Sequence, residues 1–124
     1  MKLEQQVTSL ELSKRMKELG LKIDKPLFYY ARYGVTGIVP VYRNQLILDD
    51  VNLNDCIPAY TVAELGEMLP KGCATFNSEY QNTWKCSLSA EFVKNVRDYQ
   101  DLDADNEADA RAKMLIYLKE NNLI

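Results

Sequence analysis

The chain has 124 residues, 47% of them hydrophobic and 27% charged, with 18 acidic against 15 basic side chains and a net charge of −3. That length suits one ordinary domain spanning 1–124 with its own core, and the composition is too apolar for a disordered chain. Histidine is absent, which removes His-based proton relays and His-ligated zinc or iron; the acidic balance weighs against non-specific nucleic-acid binding.

The longest apolar runs, such as 46–48 and 114–118, fall far short of a membrane span. Residues 1–6 lack the apolar core of a signal peptide. The expectation is a soluble, cytoplasmic protein with no membrane partner. Cys56, Cys73 and Cys86 are odd in number and form no CxxC pair, so they read as small apolar residues rather than a disulfide framework or a zinc site.

In chain order, the first element is a helix over 9–19. Thr8 and Glu11 have capping-box spacing, and Val7 with Leu12 can form a hydrophobic staple. Leu12, Met16 and Leu19 recur at helical spacing, and Gly20 suits the position after the C-cap. Pro26 blocks further helix. Residues 27–33 are rich in aromatics and read as a strand. Gly34 and Gly37 bracket a turn. Residues 38–43 are a second strand that Pro40 places at an edge or bulge. Residues 45–49 suggest a third strand, and 50–55 a polar loop.

Thr61 and Glu64 repeat the capping-box spacing, with Tyr60 and Leu65 as the staple, so a short helix is expected over 62–69, ending before Pro70. Residues 75–80 and 83–88 look like a hairpin around Gln81-Asn82, with Trp84, Cys86 and Leu88 on one face. Residues 90–99 carry mixed helix and strand signals. Asp105 is placed to cap a last helix over 106–121, with Asp109 and Lys113 as an i, i+4 pair. Ala108, Ala112, Met114, Leu115 and Leu118 leave that helix one narrow polar stripe. It should therefore be buried against the sheet or against a second copy of the chain, as in a homodimer. Sequential hairpins between helices predict an α+β fold: one domain, an antiparallel sheet of about four to five strands packed with three or four helices.

Four features are candidates for function. The acidic stretch 101–109 places a carboxylate at every second residue. A calcium loop starting at Asp101 would need glycine at its sixth position and glutamate at its twelfth; the chain has Asn106 and Ala112 there. The helix start explains the acids better, so no metal site is expected. The aromatic and basic residues Tyr29, Tyr30, Arg32, Tyr33, Tyr42, Arg43 and Trp84 form a candidate binding face. They also suit a half-buried sheet, a platform for single-stranded nucleic acid, or a protein interface. The basic run 14–17 precedes a turn, but no second helix follows closely enough for a DNA-reading motif. For catalysis, Glu64 is committed to its capping box, the cysteines have no visible activating base, and no cofactor or catalytic residue is implied.

The stretches TSLELSKRMKELG, PAYTVAELGEMLP and EADARAKMLIYLKENNLI together resemble a family of small uncharacterised proteins of phages and prophages of bacteria. The resemblance covers both ends and the middle and fades in the aromatic strands and at 90–102. It implies a phage or mobile-element product acting inside a bacterial cell, and it carries over no catalytic residues. The resulting expectation is a non-enzymatic protein acting through protein–protein interaction with a host or phage partner. The alternative is a nucleic-acid-binding regulator.

Overall fold

The computed structural model describes residues 2–33, 35, 37–93 and 101–124. These form four α-helices and two three-stranded antiparallel sheets, an α+β architecture. The first sheet contains β1 (Phe28–Arg32), β2 (Ile38–Tyr42) and β3 (Ile57–Ala59), in the order β2-β1-β3. The second contains β4 (Ala74–Ser78), β5 (Thr83–Ser87) and β6 (Asp101–Ala104), in the order β4-β5-β6.

Helix α1 (Leu10–Glu18) ends as the sequence predicts. Gly20 has φ +76°. Leu21 N donates to Met16 O at 2.9 Å and Gly20 N to Lys17 O at 3.1 Å, the paired bonds of a Schellman motif. Its start differs. Ser9 is the N-cap and accepts from Leu12 N at 3.4 Å, so the Thr8–Glu11 box does not form. Thr8 is fully buried and held elsewhere: its N–H donates to Tyr60 O, its Oγ1 accepts from Tyr60 N at 3.1 Å, and it lies 2.6 Å from Ser13 Oγ. Val7 and Leu12 enter different clusters instead of stapling the turn.

Residues 45–49 are not a strand. Helix α2 (Arg43–Leu48) takes up 45–48, with Asp49 as its C-cap, and buries Leu46 against Tyr29 and Ala31 while Leu48 is exposed. Helix α3 (Val62–Met68) has the full capping box: Thr61 Oγ1 accepts from Glu64 N and Glu64 Oε1 accepts from Thr61 N at 2.9 Å. Tyr60 and Leu65 meet in one cluster, as the staple requires. The β4–β5 connection is a four-residue turn over 79–82 with Asn82 at φ 52°, two residues longer than the Gln81-Asn82 loop expected. Of 90–99, Ala90–Phe92 is a 3-10 turn; 94–99 lie outside the described residues, as does Gly34.

The acidic stretch begins as strand β6. Asp101 and Asp103 point outward, Leu102 and Ala104 inward, and Lys85 Nζ of β5 meets Asp103 Oδ1 at 3.0 Å across the ladder. Helix α4 (Glu107–Glu120) follows, capped by Asn106 rather than Asp105. Lys113 donates to Asp103 O at 2.6 Å instead of pairing directly with Asp109. Helix α4 is the core of the molecule. Ala108, Ala112, Leu115 and Ile116 pack on Met16, Tyr60 and Leu65; Ala110, Met114 and Leu118 pack on Cys86, Leu88 and Ala104 of the second sheet layer. The two layers cover its apolar circumference within one chain, so its breadth needs no second copy to explain it. Among the described residues no helix is long and apolar enough to cross a membrane.

Candidate interaction surface

The seven aromatic and basic candidates do not share one face. Neighbouring residues of a strand point to opposite sides, so Tyr29 and Tyr30 part at once. Tyr30 packs with Val7, Phe28 and Ala59, its hydroxyl donates to Thr8 O at 2.7 Å, and burial pushes its phenol up to about 12. Tyr29 lies beneath α2 with Ala31, Leu46 and Cys56, with Tyr33 packed against the same cluster; burial raises the Tyr29 pKa too. Trp84 belongs to the other sheet and is half-buried against the α4 layer. Arg32 and Tyr42 are exposed and Arg43 is half-buried at the head of α2.

Tyr42 anchors a surface that the sequence only partly indicates. Its ring lies on Phe28 with centroids 4.5 Å apart at 43°, and it remains 58% exposed. Leu27, Ile38, Ile47 and Leu48 are exposed as well. Two shallow depressions flank the ring. One, of about 490 Å³, is shared with Leu3, Pro40 and Leu48; the other, of about 290 Å³, with Leu27, Lys25 and Arg43. Sequence reading missed Leu48 because a strand would place it on the same side as Leu46. Helical geometry turns the two about 200° apart, which buries Leu46 and presents Leu48.

The backbone of β2 decides how a partner could approach. Arg43 N donates to Leu27 O and Tyr33 N to Gly37 O. In an antiparallel ladder this makes the odd-numbered residues of β2 the ones that bond β1. Ile38, Pro40 and Tyr42 therefore turn their backbone groups to the open edge. Proline has no N–H, so Pro40 interrupts the row in its middle and the edge cannot template a continuous added strand. What the edge offers is side chains: Tyr42, Ile38 and Leu48, with Arg32 paired opposite Ile38 and Arg43 next in the chain.

The reactive groups elsewhere are quiet. Burial pushes the Cys86 thiol up to about 12 and raises Cys56 and Cys73 as well, so none of the three is a ready thiolate at neutral pH. Glu64 accepts from Thr61 N through one oxygen and from Leu27 N at 3.1 Å through the other. Both of its oxygens thus hold the fold together. Among the described residues no three Cys, Asp or Glu side chains converge as metal ligands. No family model, no curated protein and no solved structure matches the chain.

Proposed function

We propose that the chain is a non-enzymatic small protein of phage or prophage type that works in the cytoplasm by binding a host or phage protein through the surface around Tyr42. The observation that carries this is the exposed aromatic and aliphatic group on an edge strand, with Lys25, Arg32 and Arg43 beside it. Tyrosine and arginine supply much of the energy at protein interfaces, and aliphatic side chains exposed together seldom lack a use. The basic rim fits a partner with an acidic border. The origin rests on the three stretches that resemble the phage family.

The test compares the wild type with a Tyr42→Glu, Leu48→Glu double variant whose fold is checked by circular dichroism. Immobilised wild type should retain a defined partner from bacterial extract, and the purified pair should re-form. The variant should weaken that pair at least about tenfold. Equal binding by both proteins overturns the reading. Single-stranded DNA is the rival, because Tyr42 lies next to Arg43. A salt-sensitive anisotropy shift that the double variant abolishes would replace the protein reading with that one.

A further inference from the structure

A second cavity, of about 390 Å³, opens at the seam between the two sheets. Its apolar walls include Trp84 from β5, Phe28 from β1 and Ala63 from the first turn of α3. Gln5, Asn106 and Glu107 supply polar groups. The elements around the cavity keep those polar groups in place while using only part of their capacity. Asn106 Oδ1 accepts from Asp109 N at 2.9 Å, and its Nδ2 makes one contact, to Asp109 Oδ2 at 3.4 Å. Glu107 Oε2 accepts from Thr75 Oγ1 at 2.6 Å and from Arg111 at 3.1 Å. Gln5 Oε1 accepts from Lys2 N at 3.3 Å. Among the described residues, the Gln5 amide N–H groups, one Asn106 N–H and Glu107 Oε1 carry no further bond.

This set has a chemical meaning. An indole wall takes a flat ring by stacking, whatever the ring's substituents. Side-chain amides and a carboxylate read the edge of a heterocycle that carries both N–H groups and acceptors, as the edges of unpaired bases are read. Among the described residues no Lys or Arg lines the cavity, so its described walls offer a phosphate no cation. The volume is that of a pocket for a small organic molecule, at the lower end of the usual range.

We propose that this cavity binds a nucleobase, as a free base or nucleoside, stacked on Trp84 and held at its edge by Gln5, Asn106 and Glu107. The base belongs to an uncharged ligand rather than a nucleotide, because the lining among the described residues has nothing to neutralise a phosphate.

Trp84 is the single tryptophan of the chain, so indole emission comes from one wall of this cavity. The experiment titrates the intact protein with adenosine, guanosine, cytidine and uridine, with absorbance-matched corrections, and repeats the series with the 5′-monophosphates and a short single-stranded oligonucleotide. At least one nucleoside should quench saturably with a submillimolar Kd, and its monophosphate should bind about tenfold more weakly, because the described lining gives the phosphate no counter-charge. Ala63→Phe fills the cavity from an exposed helix position and should abolish the quenching while leaving the thermal midpoint near that of the wild type. Gln5→Ala, also at an exposed position, should weaken binding several-fold. Tighter binding of the oligonucleotide than of its nucleosides overturns the assignment to an uncharged ligand. No saturable quenching by any of the four nucleosides, or quenching that survives Ala63→Phe unchanged, overturns the proposal.

Discussion

The carboxylate of Asp109 accepts a hydrogen bond from Ser9 N at 2.7 Å, joining the cap of the first helix to the first turn of the last, 100 residues away. Burial raises its pKa, against the lowering pull of the Ser9 N–H, Lys113 and Asn106. The sign of the consequence follows from linkage. Between the ordinary carboxylate value and the raised folded value, the folded chain keeps a proton that the unfolded chain has lost. Stability from this group is therefore greatest in acid, falls as pH rises through that window, and stays lower above it. Asp109→Asn keeps an oxygen for Ser9 N and removes the charge, so denaturant melts should show a flatter acid-side profile and stability at neutral pH equal to or above that of the wild type. Asp109→Ala strips the acceptor from a part-buried N–H and should lose about 1–3 kcal/mol at neutral pH. A steeper acid profile in the Asn variant would contradict the assignment.

Helices α3 and α4 meet where Gly66 faces Arg111. A Cβ on Gly66 would collide with the Arg111 guanidinium. That guanidinium is not a loose end: it donates to Val62 O at 3.2 Å, to Thr75 Oγ1 at 3.1 and 3.3 Å, and to Glu107 Oε2 at 3.1 Å. Gly→Ala within a helix ordinarily stabilises by about 1 kcal/mol. Here Gly66→Ala should instead destabilise by about 1–2 kcal/mol, because the guanidinium must give up bonds to make room. In an Arg111→Ala background the same change should become stabilising, and a double-mutant cycle by thermal melting reads the difference. Contacts of this kind leave no local trace in the sequence. What was legible was local. The Thr61–Glu64 box, the turn after α1, the edge position of Pro40 and the inward face of Trp84, Cys86 and Leu88 need only nearby residues. The Thr8 box failed because a distant residue, Tyr60, takes the hydroxyl and amide the box would use. The strand expected at 45–49 failed because a short apolar run has no period of its own and the sheet face above Tyr29 decided it. The acids of β6 were read as a helix start, although a charge at every second residue is itself the period of a strand. The candidate face was legible only in part: Tyr42 and Arg32 are exposed, while Tyr29 and Tyr30 are covered from both sides by elements no local pattern announces.

At the level of the whole molecule, α4 contributes buried residues to both halves of the core. Leu115 lies on its side toward α1 and α3, whereas Trp84 lies in the sheet on the other side. Leu115→Ala should cost about 2–5 kcal/mol. The loss should appear equally in far-ultraviolet dichroism and in Trp84 emission, because a shared helix makes the two layers melt together. Separate transitions would show that the layers are independent. The position of α4 in the chain also bears on how the protein is made. Helix α4 follows every other element described, so α1, α3 and the second sheet leave the ribosome with the faces that it covers still open. Until residues 107–120 clear the exit tunnel, neither half of the core has its partner. Those faces therefore stay exposed to chaperones and proteases until α4 has emerged.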